Sequence, residues 1–415
     1  MKLIAKLLLV GVFALALFGL TACDRGGDAA QGVTADTIYV GNTAATSGGF
    51  AMVGVPFNEG IRAYFHRVNE AGGVHGRQIQ FVHHDDGADA VTGLAYTEAL
   101  IHDDNVFALV GHFGTITIGA TLDLLRDTGI PAVYFASGMG ALFSDDAFDN
   151  ARGRNLFPVQ ALFVTEGRVL AARAIEQYDA RTIGVIFTSD EAGHDYMRGI
   201  RYQMDRMGDG FTLVEHQIAP MQADVSSAIL SMREADVDVI ILAMSQLTFV
   251  IVANAISISG MDVPVFTSYV SADPGALAQI TDDYVGSGAT FGFYSTAWLD
   301  AFALDDFMRF VDDVTNFGQP ELAASAFAMA GWIAASTFVQ GLEATPADNL
   351  TWDGFIDAME STAINIPMAG TMDFSNGRRM GTEYLALVRA NFETGAWNTL
   401  VPLESMEAVL RRVER

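Results

Sequence analysis

Short apolar runs alternate along the chain with longer stretches in which apolar residues recur at helical spacing. Residues 107–111 and 132–136 are apolar runs of strand length, and residues 117–128 between them have the period of an amphipathic helix. Further strands are expected at residues 37–41, 78–83, 182–188, 211–218, 237–243 and 264–269. This alternation predicts an α/β fold in which helices cover both faces of parallel sheets.

Two long runs without charge, residues 239–261 and 322–341, have a length that would suit a membrane span. The first carries Ser245, Gln246 and Asn254 between a strand-like half and a helical half. The second is rich in alanine, serine and glycine. We therefore interpret the first as strand, loop and buried helix, and the second as a buried helix.

Turns of small residues follow two neighbouring predicted strands. Thr115 and Thr117 stand where the helix after the first strand begins, so two hydroxyls and unpaired backbone N–H groups are expected at its positive end. The turn Ala136-Ser137-Gly138 follows the next strand, at the same carboxyl edge of the sheet. This edge is predicted to bind a small anion such as a carboxylate, without identifying the molecule.

The N-terminal residues have the character of an export signal. Lys2 and Lys6 precede an apolar run at residues 7–20, which is too short for a typical membrane span. The ending Leu-Thr-Ala-Cys resembles the bacterial lipoprotein signal, which implies cleavage before Cys23 and lipid attachment to its sulfur. A plain signal peptide with an incidental cysteine is the alternative. Either interpretation predicts an exported protein. The lipoprotein signal further predicts a membrane-anchored protein that faces the periplasm or the extracellular side.

Composition excludes several classes of function. The formal net charge is −27, so a surface that repels phosphate backbones is expected and nucleic-acid binding is excluded. Cys23 is the only cysteine, which rules out an intramolecular disulfide and any cysteine-based metal or redox site.

Candidate catalytic and metal-binding motifs are weak. In His83-His84-Asp85-Asp86 the two histidines would face opposite sides of a strand, so they are not expected to converge on one ion. Gly-x-Ser-x-Gly, His-Glu-x-x-His and phosphate-loop motifs do not occur in the sequence. We predict a protein that is not an enzyme, with no metal site, no cofactor and no catalytic residue.

A family resemblance is carried by residues 46–89, TSGGFAMVGVPFNEGIRAYFHRVNEAGGVHGRQIQFVHHDDGAD, and continues through GHFGTITIGAT and IPAVYFASG. These stretches resemble the leucine/isoleucine/valine-type (type I) periplasmic binding proteins of ABC importers. The resemblance implies two Rossmann-like lobes with parallel sheets, joined by a three-strand hinge. The expected organisation is a signal peptide at 1–22, a lipid-anchored tether at 23–35, lobe I at 36–156 and 294–369, and lobe II at 157–293 and 370–415.

The resemblance also implies a ligand site in the cleft between the lobes. Its residues in this chain are expected to be Phe113, Gly114, Thr115, Ala136, Ser137, Gly138, Glu191 and Tyr269. Amino-acid binders of the family place an acidic residue for the ligand's ammonium where this chain has Tyr269. Either Asp190 or Glu191 takes over that role, or the ligand is an amide, a urea-like molecule or an aromatic or branched acid without an ammonium group. Tyr269, Phe113 and Trp298 are candidates for an apolar wall.

Together these observations predict a monomeric, lipid-anchored solute receptor that closes two lobes on a small molecule and delivers it to an ABC permease in the membrane. Closure would be driven by ligand contacts to both lobes. The alternative is a ligand-sensing module of a signalling system that uses the same fold without transport.

Overall fold

The computed structural model describes residues 30–143 and 153–414. Cys23 and the predicted signal peptide therefore lie outside the described residues. The first strands and helices follow one another in the order predicted from the apolar pattern. They are β1 Thr37–Ala44, α1 Ala51–Glu70, β2 Gln78–Asp85, α2 Ala90–His102, β3 Ala108–Phe113, α3 Thr115–Thr128, β4 Ala132–Ala136 and β5 Leu156–Phe157.

Within the described residues, these strands form a five-stranded sheet in the order β2-β1-β3-β4-β5, and every pairing is parallel. The central strand β3 is buried along its whole length, as expected for a parallel sheet covered on both faces. The predicted strand–helix–strand unit around α3 is confirmed.

The next part of the chain builds a second, larger sheet. Its first elements are α4 Phe163–Tyr178, β6 Thr182–Thr188, α5 Glu191–Met207, β7 Thr212–Ile218, α6 Ser226–Glu234, β8 Val239–Ala243, α7 Gln246–Ser259, β9 Val265–Thr267, α8 Pro274–Ala278, α9 Thr281–Ser287 and β10 Phe293–Ala297. The remaining elements are α10 Leu304–Phe317, α11 Ala326–Ala344, α12 Trp352–Ser361, β11 Ile364–Ile366, β12 Gly370–Met372, β13 Tyr384–Asn391, β14 Ala396–Ser405 and α13 Met406–Val413.

Seven strands of the described residues form this larger sheet, in the order β14-β13-β10-β9-β8-β6-β7. Strands β6 to β10 are parallel, whereas β13 runs antiparallel to β10 and β14 antiparallel to β13. The α/β fold with two Rossmann-like halves is thus confirmed, and the larger sheet is mixed because a C-terminal hairpin extends its edge.

The chain passes between the two sheets in three places: after β5, after β10 and after β12. Residues 294–297, which the sequence assigned to lobe I, pair within the larger sheet as part of β10. The helices after β10 instead cover the smaller sheet, where α11 crosses α1 closely. A Cβ at Gly60 would lie 1.9 Å from the carbonyl oxygen of Ala328, and one at Gly331 would lie 1.8 Å from that of Phe57. Glycine at both positions therefore permits this packing.

The two uncharged runs take up the interior positions that were expected of them. The first forms β8 and α7, and most of the second forms α11, in which the central residues are buried. In the part of the chain that the structure describes, none of the helices is both long enough and apolar enough to cross a bilayer.

Candidate functional site

A cavity of about 790 Å³ lies where strands of both sheets end. Its lining includes Ala136 at the end of β4 and residues one or two positions after β3, β6, β8, β9 and β10, so the carboxyl ends of parallel strands from the two sheets face it. We name residues 113–117 and Ala136 the first wall. The second wall consists of residues 190–192, residues 244–246, Tyr269 and Val270.

Six of the eight residues expected at the site line this cavity: Phe113, Gly114, Thr115, Ala136, Glu191 and Tyr269. Ser137 and Gly138 are not part of the lining. Contact of any of the eight with a ligand stays a prediction. Ser137 and Gly138 contact other parts of the protein.

Ser137 supports the first wall from behind. Its side chain is buried, and its hydroxyl lies 2.9 Å from the hydroxyl of Thr115. The same Ser137 oxygen accepts a hydrogen bond from the backbone N–H of Met139 at 3.1 Å. Ser137 therefore positions the Thr115 hydroxyl and closes its own turn.

Gly138 packs against the first passage between the sheets. A Cβ there would lie 2.3 Å from the carbonyl oxygen of Ala161 and 2.5 Å from the Phe163 ring. The carbonyl oxygen of Gly138 accepts a hydrogen bond from the Phe163 N–H at 2.8 Å. In this chain a side chain at that position has no room.

The first wall begins α3. Gly114 has a φ of +84° and makes no side-chain cap, so the first backbone N–H groups of the helix lie at the cavity without a capping side chain. The expected pair of hydroxyls is reduced to one, because Thr117 donates to the carboxylate of Asp86 at 2.9 Å. Burial raises the pKa of Asp86, while its hydrogen bonds to Ala88 and Thr117 act in the opposite direction.

Tyr269, on the second wall, is anchored at both ends. Its hydroxyl donates to the carbonyl oxygen of Ala161 at 3.0 Å, and its backbone N–H donates to Glu166 at 2.9 Å. Gln160 lies beside it: the amide nitrogen of Gln160 donates to the Tyr134 hydroxyl at 2.8 Å, and the amide oxygen lies 3.4 Å from the Tyr269 hydroxyl. Gln160 thus contacts both Tyr134 on β4 of the smaller sheet and Tyr269, which follows β9 of the larger sheet.

Glu166, on α4, is a fully buried acid behind the second wall. It accepts hydrogen bonds from the hydroxyls of Ser268 and Thr296 and from the Tyr269 N–H. Burial nevertheless dominates these bonds and raises the pKa of Glu166 to about 7. Sequence reasoning missed this residue because a single glutamate in a helix gives no sign of its burial.

The acids considered for an ammonium group have different roles. Asp190 caps α5, accepting from the N–H of Gly193 at 2.9 Å and from the hydroxyl of Thr188 at 2.7 Å. Glu191 lines the cavity and is exposed. Of the two, Glu191 is the carboxylate that forms no hydrogen bond with other described residues.

Most of the remaining lining is apolar. Aromatic side chains come from several elements, namely Phe50, Phe57, Phe113, Phe163, Trp298 and Phe327. Trp298 is buried, with its ring centroid 6.3 Å from that of Tyr134. Among the described residues, the lining includes Asp86, Asp190 and Glu191 but no lysine, arginine or histidine.

Gln246 is the second residue that sequence reasoning did not select. It is the first residue of α7, lines the cavity and is only 4% exposed. Neither its amide oxygen nor its amide nitrogen has a hydrogen-bond partner among the described residues. The signal available in the sequence was the polar pair Ser245-Gln246 directly after a buried strand, which marks a polar turn at the carboxyl edge of the sheet.

The histidine pair in β2 is held by protein groups. The ring nitrogens of His83 lie 3.0 Å from Asn42 Oδ1 and 2.9 Å from Thr46 Oγ1, and burial lowers the pKa of His83 to about 4. His84 lies 2.7 Å from a carboxylate oxygen of Asp104. In the described parts of the chain, no cluster of three or more His, Cys, Asp or Glu residues is arranged to hold a metal ion.

Comparison with known proteins relates this architecture to one family. The sequence profile described as periplasmic binding protein matches residues 37–396. A leucine-, isoleucine-, valine-, threonine- and alanine-binding protein of Pseudomonas aeruginosa is 24% identical over 190 residues, which are 44% of this chain and 47% of that protein. This match therefore spans about half the length of that relative.

Solved structures reproduce the fold over nearly the whole chain. A fatty acid ABC transporter substrate-binding protein from Thermomonospora curvata superposes with a TM-score of 0.78 at 19% identity, covering 92% of this chain and 96% of its own. A branched chain amino acid ABC transporter protein from Thermus thermophilus with bound valine has a TM-score of 0.78 at 14% identity, covering 92% and 99%. With the profile match over most of its length, the chain belongs to the periplasmic binding protein family.

Proposed function

We propose that the protein is an extracytoplasmic solute-binding protein that delivers a small ligand to an ABC permease. The observation that carries this proposal is the cavity of about 790 Å³, which is lined by loops from the ends of both sheets. Structural relatives described as a fatty acid ABC transporter substrate-binding protein and as a branched chain amino acid ABC transporter support the transport role. In this proposal Cys23 anchors the mature protein to a membrane through a lipid, and the protein acts as a monomer.

The cavity favours a ligand with an apolar body and a polar end. Rings such as Phe57, Phe113 and Trp298 can cover an aliphatic or aromatic body, since burial of apolar surface drives such association. The hydroxyl of Thr115 and the backbone N–H groups at the start of α3 suit a carboxylate or amide oxygen. Glu191 is the acid best placed to meet an ammonium group, which would make the ligand amino-acid-like.

Binding by hinge closure follows from the position of the walls on different sheets. A ligand favours the closed arrangement only if it gains more contacts there than in the open one. Contacts to Thr115 on the first wall and to Glu191 or Tyr269 on the second would supply that difference. The three passages after β5, β10 and β12 are the proposed hinges. The expected lobe limits at residues 156/157 and 369/370 belong to this proposal, whereas the limit expected at 293/294 moves to the end of β10 at Ala297, because β10 pairs within the larger sheet.

Identification of the natural ligand tests the function. Mass spectrometry of small molecules released from the purified, denatured protein is expected to detect one bound compound. A thermal-shift panel of leucine, valine, phenylacetate and phenylacetamide is expected to raise the melting temperature with at least one member, because a ligand at 100 times its Kd stabilises the folded state by about 2.7 kcal/mol. The absence of both a released compound and any shift would contradict a solute-binding role, as would turnover of a bound compound.

A further inference from the structure

We propose that Gln246 recognises a neutral carboxamide-type group, so that the ligand of this protein is an amide or a urea-like compound with an apolar body. The inference rests on the proposed solute-binding function and names its substrate class. It starts from the Gln246 side chain, which lines the cavity and is buried, while both of its amide atoms lack a partner in the part of the chain that the structure describes.

Such a side chain is costly in the ligand-free protein. Buried polar groups are hydrogen-bonded in the great majority of cases, and an unpaired one loses its hydration without compensation. Two other polar groups of the lining do not share this state, since Thr115 is bonded to Ser137 and Tyr269 is bonded to Ala161. Among the described residues of the second wall, Gln246 is the buried one whose side-chain polar atoms lack a hydrogen-bond partner.

The chemistry of the amide selects its complement. A glutamine amide presents a donor and an acceptor side by side, so only a group that also presents both can pair with the two at once. A primary amide or a urea does so. A carboxylate offers acceptors alone and leaves the oxygen of Gln246 unpaired, whereas an ammonium group offers donors alone and leaves the nitrogen unpaired.

The charges around Gln246 point in the same direction. Asp190 and Glu191 belong to the same wall, and the described cavity lining supplies no arginine, lysine or histidine to offset a negative ligand group. A carboxylate beside Gln246 would therefore be buried without a cationic partner. A neutral amide avoids this cost and can also accept from the backbone N–H groups at the start of α7, where Ser245 provides no side-chain cap.

Matched pairs of probes isolate the polar group from the apolar body. Phenylacetamide is compared with phenylacetate, and isovaleramide with isovalerate, by isothermal titration calorimetry on the full mature chain. We expect each amide to bind about tenfold or more tightly than its acid, since a site built around a buried polar pair rejects the analogue that leaves it unpaired. Gln246→Met, which keeps the length and helix propensity of the side chain, is expected to abolish this preference.

Two further measurements guard against a misfolded variant. Ligand-free Gln246→Met is expected to melt at a higher temperature than the wild type, because it removes an unpaired buried amide. Gln319→Met serves as the control, since Gln319 is exposed and outside the cavity lining, and it is expected to leave both the melting temperature and the amide preference unchanged.

The outcomes separate this inference from the proposed function. Equal or tighter binding of the acids, or an amide preference that survives in Gln246→Met, overturns the role of Gln246 and leaves solute binding intact. A released natural ligand without a carboxamide or urea group likewise overturns the role of Gln246 and leaves solute binding intact. Failure of all four probes to bind the wild type, with no compound released on denaturation, overturns the inference and the proposed function together.

Discussion

The two walls of the cavity are formed by similar elements but differ in how their polar side chains are paired. Each consists of turns that follow parallel strands, and each includes the start of a helix. The hydroxyl of Thr115 on the first wall is bonded to the hydroxyl of Ser137 behind it, whereas the amide of Gln246 on the second wall has no partner among the described residues. The side-chain hydroxyl of the first wall is therefore paired before a ligand arrives, and the amide of the second wall is paired by what it binds.

The supports behind the walls differ in the same sense. Ser137 and Gly138 fix the first wall through neutral contacts to Thr115 and to the passage at Ala161. The second wall is held by Glu166, an acid buried among hydroxyl and N–H donors without an ion pair among the described residues. A change of pH should therefore affect the second wall more strongly, and an increase in side-chain volume should affect the first wall more strongly.

The largest expected effect is on the pH dependence of stability through Glu166. Its pKa is raised to about 7, so the folded state holds the proton more tightly than the unfolded chain. Its contribution to stability is then fully present below pH ~4.5 and is lost as the pH rises through ~7. Over that window we expect the free energy of unfolding of Glu166→Gln to gain about 3 kcal/mol relative to the wild type, measured by urea denaturation at several pH values.

The control for this titration is Glu343→Gln, which removes an exposed carboxyl group from α11. Its unfolding free energy is expected to follow the wild-type pH profile. If Glu166→Gln also ran parallel to the wild type from pH 4.5 to 7, the second wall would not rest on a titrating acid.

The next effect concerns the space behind the first wall. Gly138→Ala places a methyl group against the Ala161 carbonyl and the Phe163 ring, so the turn must move away from the first passage. We expect a loss of about 2 kcal/mol in the free energy of unfolding, typical of overpacking. Chemical denaturation measures it.

Gly119→Ala is the matched control for that substitution. Gly119 lies inside α3, and an added Cβ would be 3.8 Å from the Met139 sulfur, an ordinary contact. This variant is expected to be neutral or more stable by about 0.5–1 kcal/mol, because alanine is favoured over glycine in helices. Equal losses in both variants would show that the first wall does not depend on its contact with the passage.

A smaller effect is expected for ligand affinity at Thr115. Thr115→Ala removes the hydroxyl that the first wall presents to the cavity, and we expect the affinity for the best-binding compound of the thermal-shift panel to fall by about 1–2 kcal/mol. Thr115→Ser retains the hydroxyl and should bind as the wild type does. Calorimetry that finds the same affinity in all three proteins would remove Thr115 from the site.

The smallest effect on affinity is expected at Ser137, whose hydroxyl lies behind Thr115 and outside the lining. Ser137→Ala should weaken binding by less than about 1 kcal/mol and lower the free energy of unfolding by a similar amount, because the Met139 N–H loses its acceptor. A loss of affinity larger than that of Thr115→Ala would reverse the assigned order of the two hydroxyls.

Local patterns were sufficient for most of the sheet architecture. The run at residues 182–188 is β6, and the run at residues 132–136 is β4, because buried parallel strands are continuous apolar segments between turns. β14 was not predicted. It is an edge strand with half-exposed residues such as Trp397 and Thr399, so it lacks the apolar run by which the inner strands were found.

The site was predictable as a location and only partly as a set of side chains. Strand ends at one sheet edge follow from topology, which is why Thr115 was selected, whereas Tyr269 was selected through the family resemblance. Gly138 meets Ala161, and Glu166 meets Tyr269, through the packing of segments remote in sequence. Neither contact leaves a mark in the local pattern. The unpaired state of Gln246 is likewise a property of its surroundings, which a single sequence does not display.

Gln160 constrains how the cavity can open. Its amide contacts the hydroxyls of Tyr134 on β4 and of Tyr269 after β9, so Gln160 links the two sides of the cavity. A movement that keeps this link is a swing about an axis close to Gln160, and its amplitude grows with distance from that axis. The gap should then widen most at the lining residues that lie farthest from Gln160.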